Sequence, residues 1–157
     1  MQKVFHHFIV YERKKVAAQF ELTNHLNLQL KQVLKVINSE DSYDELIQKV
    51  ARAMERYAFR IYVCDSEGFQ QSSNLEKNEN KEWTLIEEGR FKNWSWRPYF
   101  LENIIRMNIE KRGFLSDLYT DIERDERIRT YSHPITDNLF LFLDIPYDYL
   151  FEQEGLL

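Results

Sequence analysis

Leu139-Phe140-Leu141-Phe142-Leu143 is apolar at every position. A run this short, bounded by turn residues, is read as a central strand covered on both faces. Before it, Pro134-Ile135-Thr136-Asp137-Asn138 supplies a turn, and Arg127 to Ser132 and Phe114 to Tyr119 supply two further strands joined by an acidic connection. Further upstream, Pro98 suits the first turn of a helix, where its missing amide hydrogen costs nothing. Phe100, Leu101, Ile104, Ile105 and Ile109 then share one face, and Gly113 after Lys111-Arg112 marks the helix end, with positive charge at the negative pole of the dipole. Ala58 to Cys64 is dense in β-branched and aromatic residues. Asp65-Ser66-Glu67-Gly68 is a turn, and Phe69 to Asn74 is the expected returning strand of a hairpin. Leu75 to Glu82 is expected as a charged loop, and Trp83 to Glu88 as a short further strand.

Between Met1 and Glu67 there is neither glycine nor proline, so long helices are expected. Phe5, Ile9, Val16 and Phe20, then Leu22, Leu26, Leu30, Val33 and Ile37, form a stripe at helical spacing. It ends near Asn38 to Asp41. Ser42 with Glu45 is a capping box opening a second helix, with Leu46, Ile47, Val50, Ala51 and Met54 on one face. The order of elements predicts an α+β fold: an antiparallel sheet flanked by helices, with a long N-terminal helix. The expected division is residues 1–40 as a connecting or dimerisation helix and 41–157 as the domain proper. An apolar stripe on so long a helix calls for a partner, either its own sheet or a second copy of the chain.

The chain has 157 residues, enough to bury a core without disulfides or metal, and 15% of it is aromatic. A net charge of -5 argues against nucleic acid and against an acidic membrane surface. Cys64 is the sole cysteine, in keeping with a reducing compartment, and no apolar run approaches the roughly 20 residues that span a bilayer. A cytoplasmic location is therefore expected. With Val4 and Phe5 already apolar in a helix that starts at the first residues, the natural chain is expected to extend upstream.

Trp94-Ser95-Trp96-Arg97-Pro98-Tyr99-Phe100 packs rings around one guanidinium just ahead of a helix. Such a cluster is either an aromatic core corner or an anion grip, since the planar fork of Arg donates two parallel hydrogen bonds and the rings exclude water.

The element order, with the phrases Tyr62-Val63-Cys64-Asp65-Ser66-Glu67-Gly68, Trp96-Arg97-Pro98-Tyr99 and Ser132-His133-Pro134-Ile135-Thr136-Asp137, resembles the PAS-like Cache sensor fold. More closely, the chain resembles the signalling domain at the C-terminus of bacterial EAL proteins, whose upstream domain belongs to cyclic-di-GMP signalling. The resemblance implies a detached sensory half lacking the EAL domain. In Cache domains that bind amino acids or amines, an Arg lies two residues before an aromatic on the pocket helix, with a Tyr on the next strand and an Asp after a small-x-Pro-hydrophobic phrase. By that resemblance Arg97 and Tyr99, Tyr119 and Asp137 are the ligand-binding candidates, with Trp96 lining the site.

Other chemistries find less support. His6 and His7 are adjacent and cannot share a helix face, and His25 is distant, so no metal site is expected. Cys64 has no neighbouring histidine to activate it and is expected as an inert core thiol. His133 is expected as a solvated or hydrogen-bonded structural residue. Asp117, Asp121, Glu123, Asp125 and Glu126 match no calcium loop and are read as a solvated acidic connection. No phosphate loop or nucleophile elbow occurs, so no catalytic residue and no cofactor are assigned. Two functions remain. One is a non-catalytic sensor that binds a small molecule, dimerises through its N-terminal helix and controls an upstream EAL domain. The other is a ligand-free interaction module whose PAS-like pocket is filled by its own side chains.

Overall fold

The computed structural model describes residues 2–149. The side chain of Phe5 and the end of the domain to residue 157 lie outside them. Helix α1 spans Gln2–Lys35 and α2 spans Tyr43–Met54. The strands are β1 Arg60–Asp65, β2 Asn74–Lys77, β3 Trp83–Ile86, β4 Phe114–Leu115, β5 Tyr119–Asp121, β6 Glu126–Thr136 and β7 Leu139–Pro146; α3, Phe100–Glu110, lies between β3 and β4. The sheet is antiparallel in the order β3-β2-β1-β7-β6-β4, with β5 also pairing β6. The apolar run of β7 is thus central.

Period-two alternation divides the core into two layers. Ile61 and Val63 of β1 and Leu141, Leu143 and Ile145 of β7 face α1 and α2, where they meet Leu22, Leu26, Leu30 and the expected face of α2, Leu46 to Met54. Tyr62, Cys64, Phe140 and Phe142 point the other way and pack with Trp94, Tyr99, Phe100, Ile104 and Met107. Phe142 stacks between Tyr62 and Phe100, with ring centroids 5.3 and 5.7 Å away. The second half of α1 therefore belongs to the same core as residues beyond 40. Its first half leaves Phe8, Val16 and Phe20 exposed.

Several local expectations fail for identifiable reasons. The chain returns along β1 as expected at Phe69 to Gln71, through an antiparallel bridge between Cys64 and Gln70, but the ladder breaks at Ser72 and Ser73 and resumes as β2: Ser72 Oγ accepts from Val63 N–H, Gln70 Nε2 donates to the Ser72 carbonyl, and Ser73 is held by Asp44. The presumed loop is a hairpin, since Asn78 Oδ1 accepts from the amides of Asn80 and Glu82 and closes a tight turn into β3. Pro98 sits in the turn ahead of α3, whose cap is Tyr99. Leu101, Ile105 and Ile109 are exposed, and Asn103 and Met107 take buried places. The left-handed residue ending α3 is Lys111, φ 57°, rather than Gly113. Gly113 is required for space instead: a Cβ there would lie 2.2 Å from the Tyr131 hydroxyl. The same glycine is clasped from α1, its N–H donating to Asn27 Oδ1 at 2.7 Å and its carbonyl accepting from Asn27 Nδ2 at 3.0 Å. Ser42 caps α2 as expected, accepting from Glu45 N–H at 3.1 Å.

Candidate functional site

Strand pairing places Arg60 of β1 opposite Asp144 of β7, and Asp144 opposite Thr130 of β6, on the α3 side of the sheet. All three are buried. A buried charge must be paired, and Arg60 is: Nη1 donates to Asp144 Oδ2 at 2.8 Å and to Asp121 Oδ1 at 3.2 Å, Nη2 to Asp121 Oδ2 at 3.1 Å, and Nε to Glu76 at 2.7 Å. Burial works against this charge, but Asp144, Asp121 and Glu76 outweigh it, and the Arg60 pKa lies above the usual guanidinium value.

Arg97 enters the same cluster from the turn before α3 and is 5% exposed. Its Nη1 donates to the phenol oxygens of Tyr62 at 2.9 Å and Tyr119 at 3.2 Å, and its guanidinium lies 4.3 Å above the Trp94 ring. The Trp94 indole is fixed in turn, donating to Gln70 Oε1 at 2.7 Å. By contrast, Arg97 reaches Asp121 only at 3.5 Å and Asp144 only at 3.7 Å. Arg60 thus holds the two aspartates closely, and Arg97 touches them at arm's length. The phenols stay protonated: burial pushes Tyr99 up to about 12 and raises Tyr62 and Tyr119 as well. Tyr62 and Tyr99 share a hydrogen bond of 2.9 Å, and Tyr119 bonds Thr130, whose hydroxyl donates to Asp144 at 2.7 Å. The relay Arg97–Tyr119–Thr130–Asp144 closes one ring of the network.

Beside this cluster lies a cleft of about 140 Å³ between the start of α3 and the β4–β5 edge, walled in part by Tyr99, Asn103, Arg106, Ser116 and Tyr119. At roughly 30 Å³ of liquid volume per water this admits about five waters or a small metabolite. Tyr99 and Tyr119, ring centroids 5.2 Å apart, line the cleft, and Tyr119 also touches Arg97.

Of the residues proposed from sequence, the structure brings Arg97, Tyr99 and Tyr119 together. Trp96 packs its ring 5.8 Å from Trp94 but is 56% exposed, outside the cluster. Asp137 lies elsewhere, in the β6–β7 turn, its side chain 91% exposed and 3.7 Å from Lys111. The residues missed were Arg60, Tyr62, Asp121 and Asp144. Asp121 came from the connection read as solvated, yet it is wholly buried. A signal existed for two of them: Arg60 and Asp144 are charged positions inside otherwise apolar strands, and such charges must find each other. Among the described residues no cluster of His, Cys, Asp and Glu could hold a metal ion. Cys64 is buried with its thiol pKa pushed well up by burial, as befits an inert thiol.

Residues 1–157 match the model of the EAL-domain associated signalling protein domain. The chain belongs to that family. It is 45% identical over 155 residues to the EAL-domain containing protein YkuI of Bacillus subtilis, covering 98% of this chain and 38% of YkuI. The crystal structure of YkuI, with an EAL domain and in complex with substrate c-di-GMP and calcium, superposes with a TM-score of 0.85 at 44% identity, over 99% of this chain and 39% of that one. This EAL-associated domain thus spans under two fifths of its relative and is not the EAL domain itself. Sensor domains share its fold. The ligand-binding domain of the Campylobacter jejuni chemoreceptor Tlp3, in complex with L-norvaline, aligns at TM-score 0.58 and 16% identity, over 92% of this chain and 60% of that one. A domain of a sensory box/GGDEF family protein from Vibrio parahaemolyticus aligns at 0.58 and 14%, over 97% and 62%. No helix among the described residues is long and apolar enough to cross a membrane.

Proposed function

We propose that this domain is a cytoplasmic, non-catalytic sensor that binds a small zwitterion at Arg97 and thereby controls an attached EAL domain in cyclic-di-GMP signalling. The observation that carries the reading is the guanidinium of Arg97, whose short bonds go to neutral phenols and whose carboxylate contacts are long. It is buried, charged and ringed by phenols, with its nearest carboxylates at 3.5 and 3.7 Å while Arg60 satisfies those same groups. A ligand carboxylate entering through the Tyr99–Tyr119 wall takes the Arg97 fork, and Asp144 or Asp121 faces the ammonium, the role first given to Asp137. The amino-acid ligand named for the Tlp3 domain of the same fold is in keeping with this class.

Occupancy is transmitted as a population shift. Arg97 and Tyr99 lead into α3, and the corner beyond α3 is clasped to α1 by Asn27 and Gly113. The exposed half of α1 carries an apolar groove walled by Phe8, Ile9, Val16, Ala17 and Phe20, suited to pairing with a second copy, so a tilt of α1 changes dimer geometry. The test is cyclic-di-GMP turnover by the full-length protein with a panel of α-amino acids, parent against Arg97→Lys. A change in rate from one compound, absent in the variant, supports the reading. The second reading, a dimerisation module with a filled pocket, draws on the 5% exposure of Arg97 and the mutual satisfaction of the three tyrosines; it predicts a rate indifferent to every compound.

A further inference from the structure

The chain is acidic, with a net charge of -5. Yet one groove of about 420 Å³, at the seam between α1 and the α3–β4 corner, is walled by Lys31, Lys111, Arg112, His133 and two asparagines with Leu28, and by no carboxylate. Lys111 and Arg112 follow the carbonyl end of α3, where the helix dipole favours cations. That effect accounts for neither Lys31, which comes from another helix, nor His133.

His133 is 7% exposed, and its Nδ1 lies 2.9 Å from the Tyr131 hydroxyl. Burial raises the Tyr131 phenol and keeps it protonated, and burial lowers His133 to about 4, so both groups are neutral at pH 7. Among the described residues Nδ1 is the hydrogen-bond partner of the phenol, and we assign the phenol as its donor. With the phenol as donor the ring proton of His133 is on Nε2, which has no hydrogen bond among the described residues, and His133 walls the groove. Meanwhile Lys111 is 3.7 Å from Asp137 and Arg112 is 3.4 Å from Glu110, all of them exposed. Pairs of that kind are worth about 0–1 kcal/mol, so both cations can turn to a stronger anion. Lys31 has no ion pair among the described residues.

We infer that this groove binds a small phosphate-bearing anion, held by Lys31 from α1, Lys111 and Arg112 from the α3 corner, and the Nε2–H of His133 from β6. Three cations and a neutral donor from three separate elements suit the three acceptor oxygens and near-double charge of a phosphate monoester better than the two oxygens of a carboxylate. The anion would tie α1 to the α3 corner alongside the Asn27–Gly113 clasp. The inference stands apart from the Arg97 site and survives if that site is empty.

The experiment is a ¹⁵N-resolved NMR titration of the chain with inorganic phosphate and, separately, with adenosine monophosphate, against chloride at equal ionic strength. The expected result is saturable shifts confined to the backbone around Asn27, Lys31, Lys111 to Gly113 and His133. Removing two cations in Lys31→Gln/Arg112→Gln weakens binding about ten-fold, at roughly three-fold per exposed pair, with the thermal midpoint in chloride kept. Tighter binding of the nucleotide assigns the site to phosphomonoesters, and equal binding assigns it to the free ion. Non-saturating shifts reproduced by chloride, or an unchanged dissociation constant in the double variant, overturn the proposal.

Discussion

Asp144→Asn isolates the ion network from the packing around it. The wild-type carboxylate is fully buried and accepts from Arg60 at 2.8 Å and from Thr130 at 2.7 Å, with Arg97 at 3.7 Å. The amide keeps the volume but removes the charge, leaving two buried guanidiniums facing Asp121 as the one remaining buried carboxylate. Breaking a buried pair from one side costs about 3–5 kcal/mol. Glu76 and Glu123, 2.7 and 3.3 Å from Arg60 and partly exposed, remain to share the charge, so the low end applies. We expect a loss of about 3 kcal/mol, which with a urea slope of about 2 kcal/mol/M lowers the unfolding midpoint by roughly 1.5 M. Asp137→Asn, on an exposed turn, serves as the control and stays within about 0.5 kcal/mol of the parent. A loss under about 1 kcal/mol for Asp144→Asn refutes the claim that this cluster is a tightly coupled buried network.

Three further outcomes follow from particular contacts. Gly113→Ala, whose Cβ would lie 2.2 Å from the Tyr131 hydroxyl and 2.6 Å from the Ser132 carbonyl oxygen, costs about 3 kcal/mol by urea unfolding, whereas a merely flexible helix stop would lose under 1. His133 is lowered to about 4 in the fold from 6.5, so the unfolded chain binds the extra proton first: stability falls as pH drops from about 6.5 to 4, by up to roughly 3 kcal/mol, and His133→Phe flattens that slope in calorimetric scans. Ser42→Ala removes the cap on the Glu45 amide and lowers stability by about 1 kcal/mol, read as a small drop in thermal midpoint.

Where a signal in the chain was both local and redundant, it could be read directly. The five apolar residues of β7, the Ser42 cap and the 3.6-residue face of α2 each rest on patterns that neighbours reinforce, and all stand in the structure, Ser42 capping through its hydroxyl on the Glu45 amide. The returning strand from Phe69 to Asn74 was read only in part: it bridges β1 at Cys64 and Gln70, and is then interrupted by side-chain bonds of Gln70 and Ser72 that no propensity scale contains. Gly113 illustrates a different blindness. Its position suggests a helix stop, but the physical reason for glycine there is Tyr131, eighteen residues away and visible only in three dimensions. At the candidate site Arg97, Tyr99 and Tyr119 were chosen through local aromatic density and resemblance, whereas Asp144 stood out only as a lone charge in an apolar strand, and pairing it with Arg60 and Asp121 required knowing which strands are neighbours. Asp137 was chosen for its phrase, and its exposed turn explains the mismatch: nothing in that phrase encodes burial.

The central claim, a ligand held by Arg97, is tested most directly by thermal unfolding of the chain against α-amino acids, amines and carboxylates, with Arg97→Lys in parallel. Ligand at 100 times its dissociation constant adds about 2.7 kcal/mol, or roughly 5–10 °C for a domain of this size. The account predicts such a shift from one chemical class, carrying both carboxylate and ammonium, and its loss in Arg97→Lys, whose point charge cannot reproduce the fork. No shift from any compound, or an equal shift in the variant, contradicts it.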